Sequence, residues 1–283
     1  MAPVDQWRTG YDVRHEIADA DFGTGTPTLN RQAINQACAR IGAQGGGIAR
    51  LPQTGDNDPI DVDQAVVIPT DVRLVGTGSG GTTIRLAAGA NTNVVESENF
   101  AALQGSNTWL VQDGMQHSFA LVGVRVDGNA AGGNTAGHGV AFYGKGYEIT
   151  DVRVDDAAED GIYSEGGRLS GQLGIEDMPK THIRAKVYSP GNNGMTFRGP
   201  HDGIIDQLEV SQAPNIGLHV DESADFFGGC EIGMVHTYGG GAAAAGGNGI
   251  GAVFDSSVLA TAVQVESAGR EGLIVNSLSL IHI

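Results

Sequence analysis

Gly139-Val-Ala-Phe-Tyr, Gly161-Ile-Tyr-Ser-Glu, Gly194-Met-Thr-Phe-Arg, Gly217-Leu-His-Val-Asp, Gly251-Ala-Val-Phe-Asp and Gly272-Leu-Ile-Val-Asn are six copies of one phrase. Each reads glycine, apolar, variable, apolar, variable. The glycines step by 22, 33, 23, 34 and 21 residues, so three steps share one length and two carry an insertion of about ten. A period of this size with loop insertions marks a solenoid, whose units bury their apolar faces only by stacking on one another. A second phrase precedes each of the first: Val124-Arg-Val-Asp, Val152-Arg-Val-Asp, Ala185-Lys-Val-Tyr, Leu208-Glu-Val-Ser, Val235-His-Thr-Tyr and Val263-Gln-Val-Glu. Both phrases alternate with period two and are rich in β-branched and aromatic residues, as half-buried strands are. About 22 residues with two or three strands leave no room for a helix, and the Leu/Asn framework of a leucine-rich repeat is missing. The architecture this leaves is an all-β parallel β-helix, one coil per repeat, with like strands ~4.8 Å apart.

The register follows from the phrases. Val140, Ile162, Met195, Leu218, Ala252 and Leu273 form one inward column, and Phe142, Ser164, Phe197, Val220, Phe254 and Val275 the next. Val126, Val154, Val187, Val210, Thr237 and Val265 form a third. A slip of one residue would turn every column to water, so the register is strongly specified. Ser164 and Thr237 interrupt the columns and are expected to find internal hydrogen-bond partners.

The chain has 283 residues, 45 of them glycine, enough for one elongated domain. Glycine at this level suits tight corners of positive φ. The formal charge of −17, with only three lysines, disfavours nucleic acid, and no nucleic-acid partner is expected. No apolar run reaches membrane-span length. The two cysteines, Cys38 and Cys230, imply free thiols rather than a disulfide framework. The opening Met1-Ala-Pro-Val-Asp-Gln-Trp lacks the apolar core of a signal peptide. The domain is read as 1–283: a cap segment over 1–50, coils over about 51–276, and a truncated or artefactual tail over 277–283. Within the cap, Ala33, Ile34, Ala37, Cys38 and Ile41 recur on one helical face. Pro27 and Thr28 start that helix, and Gly42 with Gly45-Gly-Gly ends it, which gives bounds of about 28–41.

The order Tyr11-Asp-Val-Arg, Asp21-Phe-Gly, the amphipathic helix, Gly45-Gly-Gly, Leu51-Pro, Val67-Ile-Pro, Val72-Arg-Leu-Val-Gly and Thr83-Ile-Arg-Leu resembles the N-terminal region of the pectate-lyase-like superfamily. The resemblance covers residues 10–90 in motif and the remainder in period alone. It implies a right-handed β-helix, a polysaccharide as partner, and an extracellular or virion-surface setting, because polysaccharide lyases, hydrolases, epimerases and phage tailspikes share this fold. Relatives often carry an acidic pair just before the helix; here the residues are Thr26-Pro-Thr-Leu-Asn, so that loop is no sign of a site.

Stacking turns the variable positions into outward ladders. One carries Tyr143, Glu165, Arg198, Asp221, Asp255 and Asn276; the other carries Tyr163, Thr196 and His219. In the superfamily a face of this kind holds the sugar chain, with aromatics such as Tyr143 and Tyr163 under the rings and carboxylates as acid–base groups. Adjacent rungs place Asp221 and Asp255 ~4.8 Å apart, and Glu165 and Asp221 stand two rungs apart at ~9.6 Å with Arg198 between. Retaining glycosidases need carboxyls ~5–5.5 Å apart and inverting ones ~6.5–9.5 Å. In a lyase, Arg198 or a bound cation would neutralise a uronate carboxylate. The bland alternative is an exposed ion-pair ladder of Glu165, Arg198 and Asp221, worth ~0–1 kcal/mol per contact. Calcium could be held by Glu165, Asp221 and Asp255; no cofactor is required by any motif, and no cluster has zinc spacing. Asp160 stands at a position where polygalacturonase-like relatives place catalytic aspartates, with His138 one rung below, or else it caps backbone N–H groups at a corner. On the other strand family Arg125, Arg153 and Lys186 stack. They either hold an anionic glycan or pair with nearby carboxylates such as Asp127 and Asp155. Two functions follow: cleavage of a polysaccharide, an acidic one favoured, or glycan binding without turnover by a tailspike or adhesin, which would be a homotrimer.

Overall fold

The computed structural model describes residues 11–12, 25–54, 58–103, 118–144, 146–166, 181–199, 203–221, 229–239 and 249–276. The motif Asp21-Phe-Gly, most of the two insertions (167–180 and 240–248) and the tail 277–283 lie outside them.

The chain winds into two sheets in which every strand pairing is parallel. The eight-strand sheet stacks Val66–Ile68, Val95–Ser97, Val140–Gly144, Ile162–Gly166, Met195–Arg198, Ile216–Asp221, Ile250–Phe254 and Leu273–Val275. The six glycine phrases supply its last six strands. The twelve-strand sheet collects the second phrases. In the early coils its strands are short and separate, as in Val72–Val75 and Thr83–Leu86. From Glu148–Asp155 onward the two merge into one long strand, with a bulge at Asp151, whose φ is +51°.

The predicted register holds at every rung. Val140 pairs with Ile162, Ile162 with Met195, Met195 with Leu218, Leu218 with Ala252, and Ala252 with Leu273. The Phe142 and Val126 columns are in register as well. Apart from the last rung, where Leu273 and Val275 are 47% and 41% exposed, the two columns of the glycine phrase are buried. Each large side chain in them contributes about 1.5–3 kcal/mol of apolar transfer.

The helix α1 spans Pro27–Ala43. Thr26 caps it by accepting from the Leu29 N–H, and its predicted apolar face, Ala33, Ile34, Ala37, Cys38 and Ile41, is fully buried. A one-turn helix, α2 (Phe100–Leu103), was not expected from the period. Both cysteines are free and buried, and burial pushes each thiol up to about 12.

Positive φ occurs at corner glycines as expected, for example Gly45, Gly123 and Gly137, but the phrase glycines serve a different purpose. A Cβ on Gly139, Gly161 or Gly194 would lie 2.2 Å from a valine Cγ1 of the second phrase and less than 3 Å from the carbonyl oxygen of the next phrase glycine. These glycines let the two sheets approach. The left-handed corner that recurs after each long strand uses Asp156 (φ +47°), Ser189 (+50°), Gln212 (+61°) and Ser267 (+59°), with glycine only at Gly239 (+63°). Backbone hydrogen bonds to the next coil hold that corner, including Asp156 N to Tyr188 O and Ser189 N to Ser211 O. One expectation, about the polar breaks, is corrected in part. Ser164 bonds the fully buried Tyr147 hydroxyl. Thr237 Oγ1, however, has no hydrogen-bond partner among the described residues. Thr237 stands in a valine column because its Cγ2 fills the space beside Gly217.

Candidate functional site

The outward ladders form as predicted on the eight-strand sheet. Tyr143 pairs with Glu165, Glu165 with Arg198 and Arg198 with Asp221; Ala141, Tyr163, Thr196 and His219 stack alongside. The face is not open along its length, however. Phe100 of α2 packs on Ala141 and Tyr143, leaving Tyr143 6% exposed, so its ring offers no platform to a ligand. Glu165 is 7% exposed on the next rung. The accessible part starts at Tyr163 and runs through Arg198, His219, Asp221 and Asp255, all partly exposed.

Tyr163 is clamped. Phe100 meets its ring edge-on at 5.6 Å, and His138 stacks on it at 5.0 Å. Its hydroxyl donates to Glu165 Oε2 (3.0 Å) and is bonded by Arg198. Burial and the Glu165 carboxylate raise this phenol, so it keeps its proton. Arg198 is the lone cation in the two ladders. Its Nε, itself buried, makes no hydrogen bond among the described residues and stands 3.6 Å from Asp221 Oδ2, a loose ion pair. The Tyr163 hydrogen bond raises the guanidinium further, so it remains charged.

One pairing was not legible in the sequence. His219 Nε2 lies 2.7 Å from Asp255 Oδ2, and Asn276 donates to the other Asp255 oxygen at 2.5 Å. Burial raises the Asp255 carboxyl, but these hydrogen bonds outweigh it and hold the group below its ordinary range. A neutral His219 that gives its Nε2–H to Asp255 carries a lone pair on Nδ1, the arrangement a general base requires. The signal was present in the register, which sets His219 on the rung beside Asp255, but the ladders were read one column at a time.

His219, Asp221 and Asp255 each bring one ligand atom within 4.8 Å of the others, and Glu165 is not in that cluster. One imidazole and two carboxylates suit a zinc- or manganese-class ion better than calcium, which takes six to eight oxygens.

Asp160 is placed at the corner, 3% exposed. Its Oδ1 accepts from Asn192 Nδ2 (2.7 Å) and the Asn193 N–H (3.1 Å), and its Oδ2 accepts from Thr196 (2.7 Å). Its own N–H donates to His138 Nδ1 at 3.2 Å. Both oxygens are occupied by the fold, which is the capping role. Desolvation lowers the buried His138 imidazole, against the pull of Asp160 and Glu159.

On the twelve-strand sheet Arg125, Arg153 and Lys186 stack as expected, and carboxylates take all three. Arg125 and Arg153 both bond the buried Asp155, with Arg153 at 2.9 Å, and Lys186 bonds Glu209 at 2.7 Å. Arg153 also lies over the Tyr188 ring at 4.6 Å.

Among solved structures, the pre-mature bacteriophage phi29 gene product 12 aligns with 93% of this chain at 13% identity and a TM-score of 0.53. That likeness and the two all-parallel sheets make the fold of this chain a right-handed parallel β-helix. The chain spans about a third, 34%, of that phage protein. The A-module of the Azotobacter vinelandii mannuronan C-5 epimerase AlgE6 aligns with 90% of this chain and 80% of the module, at 15% identity and a TM-score of 0.43. No family model and no curated protein matches the sequence. No described helix is long and apolar enough to cross a membrane.

Proposed function

We propose that this chain binds and cleaves an acidic polysaccharide on the outward face of the eight-strand sheet. The observation that carries the reading is the position of Arg198, one cation on a central rung, flanked by Tyr163 and Asp221 and next to the His219–Asp255 pair. A uronate carboxylate docked on Arg198 loses its charge to the guanidinium, which makes the neighbouring C5 proton more acidic. His219 Nδ1 takes that proton, and Asp255 stabilises the imidazolium that forms. The C5–H electron pair becomes the C4=C5 bond, the C4–O bond breaks, and the leaving oxygen takes the Tyr163 phenol proton; Arg198 holds the phenolate, which regains a proton from the His219 imidazolium through solvent. If the glycan is instead hydrolysed, Glu165 and Asp221 are the carboxyl pair, two rungs or ~9.6 Å apart, at the upper end of the inverting range. A metal held by His219, Asp221 and Asp255 would add a Lewis acid beside Arg198.

Incubation with a panel of acidic and neutral glycans tests the reading. Unsaturated uronate absorbance identifies elimination, and new reducing ends without it identify hydrolysis. Neither signal with any glycan overturns both forms. The span of the match to the phage protein favours a second reading, a virion-surface protein that holds glycan with little turnover. That reading expects a trimer in sedimentation and glycan binding without cleavage; a monomer counts against it.

A further inference from the structure

A second opening lies on the same outward face, on the far side of α2. It is an open cleft of about 400 Å³ between α1 and the first two strands of the eight-strand sheet. Small-molecule sites begin at about 300 Å³. Ala65 and Val67 give it apolar lining, Arg31 comes from α1, Glu96 from the second strand, and Gln64 and Thr92 add polar groups.

Three charged groups line the cleft: Arg31 is ion-paired with Asp63, and Glu96 stands apart, forming no ion pair with Arg31 among the described residues. Arg31 Nε donates to Asp63 Oδ1 at 2.8 Å, and Thr28 anchors the other Asp63 oxygen at 2.6 Å. The outer guanidinium nitrogens have no hydrogen-bond partner among the described residues. Asn93 Nδ2 donates to Glu96 Oε2 at 2.9 Å, and Oε1 is left without a partner among the described residues. Burial raises the Glu96 carboxyl, against the Asn93 hydrogen bond. The outer Arg31 nitrogens, which the Asp63 pair leaves open, a carboxylate set apart from them, and apolar surface beside neutral polar groups match a molecule that has a flat apolar face, hydroxyls and one negative charge.

The geometry points to a second saccharide site in this cleft, taking one acidic sugar unit. The ring packs on Ala65 and Val67, its carboxylate pairs with Arg31, a hydroxyl donates to Glu96, and Thr92 and Gln64 complete the hydrogen bonds. The choice of ligand class rests on the proposed function. Glu96 stands in the same outward column as Tyr163 and His219, because Val67 pairs with Glu96, Glu96 with Ala141 and Ala141 with Tyr163. Two rungs, ~9.6 Å, separate Glu96 from Tyr163, and four, ~19 Å, separate it from His219. A polymer of a few sugar units reaches both openings, passing the short helix that carries Phe100. Binding at both raises the effective concentration of the polymer at the Arg198 face, which a short fragment cannot exploit.

The test is titration of the ¹⁵N-labelled full chain with galacturonate and with mannuronate, glucose serving as the neutral control. Saturable shifts of the Gln64 side-chain amide and the Thr92 backbone amide with at least one uronate, and none with glucose, are expected. Their absence with both uronates overturns the site. The double variant Glu96→Gln/Gln64→Ala, which keeps an acceptor for Asn93, is expected to bind long polygalacturonate or polymannuronate about tenfold or more weakly, with trimer binding unchanged. Equal affinity of variant and parent for both long polymers also overturns it. The Arg198→Ala chain separates the two readings. Cleft shifts that persist there, in a protein that cleaves no glycan in any form, leave the cleft standing and remove the catalytic reading. Lost cleft shifts beside intact cleavage by the parent chain do the opposite.

Discussion

The two sheets carry outward ladders built from the same residue types, and they differ in charge balance. On the twelve-strand sheet Arg125, Arg153 and Lys186 each close on a carboxylate of their own or the next coil, and the Tyr188 and Tyr238 hydroxyls both donate to Glu209 at 3.1 and 3.0 Å. Charge and hydrogen-bonding capacity are consumed within the ladder. On the eight-strand sheet one arginine stands between two carboxylates, Glu165 and Asp221, and its ion pair to Asp221, at 3.6 Å, is longer than a hydrogen bond. Stacking alone therefore does not make a site. A ladder becomes a candidate site when its groups are held in place with capacity left over for a ligand.

Substitutions along the two ladders should separate them. Arg198→Ala is expected to lower glycan turnover by about 10²–10³-fold, the effect of removing one preorganised charge from a developing anion, with the melting temperature little changed. Turnover equal to the parent chain would place the two faces on the same footing. Gly194→Ala strikes the seam between the sheets. Its Cβ would sit 2.2 Å from Val210 Cγ1 and 2.5 Å from the Gly217 carbonyl oxygen, and part of that clash is with backbone. A loss of about 3 kcal/mol in denaturant unfolding is expected. Thr237→Val runs the other way. It removes a buried hydroxyl that has no partner among the described residues and completes the valine column, so stability should rise by about 1 kcal/mol.

The smallest effects belong to the neutralised ladder. Arg153→Ala should cost no more than about 1 kcal/mol and leave turnover unchanged, because Arg153 is itself partly exposed and Arg125 still pairs with the buried Asp155. Glu209 adds a pH signature. The Lys186 hydrogen bond, opposed by burial and joined by Tyr238 and Tyr188, holds its carboxyl below the ordinary range. A lowered folded-state value means that this group stabilises the fold above the ordinary carboxylate range. The contribution is lost as pH falls through the lowered value. Unfolding midpoints measured across that acid range should fall less steeply in Glu209→Gln than in the parent.

The fold was legible to the level of individual pairs. Phe142, Phe197 and Phe254 point inward, in register with Ser164, Val220 and Val275, and the helix predicted over 28–41 spans Pro27–Ala43. The candidate site was legible as a column and illegible as an environment. Tyr143 and Glu165 occupy the predicted rungs but are buried, and Phe100, which packs on Tyr143, lies in a segment outside the repeat. Asp160 was named for its neighbourhood of glycine and histidine; its three donors come from Asn192, Asn193 and Thr196, more than thirty residues away.

By itself the sequence determined the coil, the register and which side of each strand faces in. Those follow from alternation and period, which are local, and from apolar columns that have only one way to leave water together. The tertiary structure alone decided which outward residues stay accessible, which charges cancel and why the repeated glycines are needed. Each of those depends on an atom from another coil or from a segment that does not repeat, and the spacing of residues along a chain carries no record of what comes to rest against them.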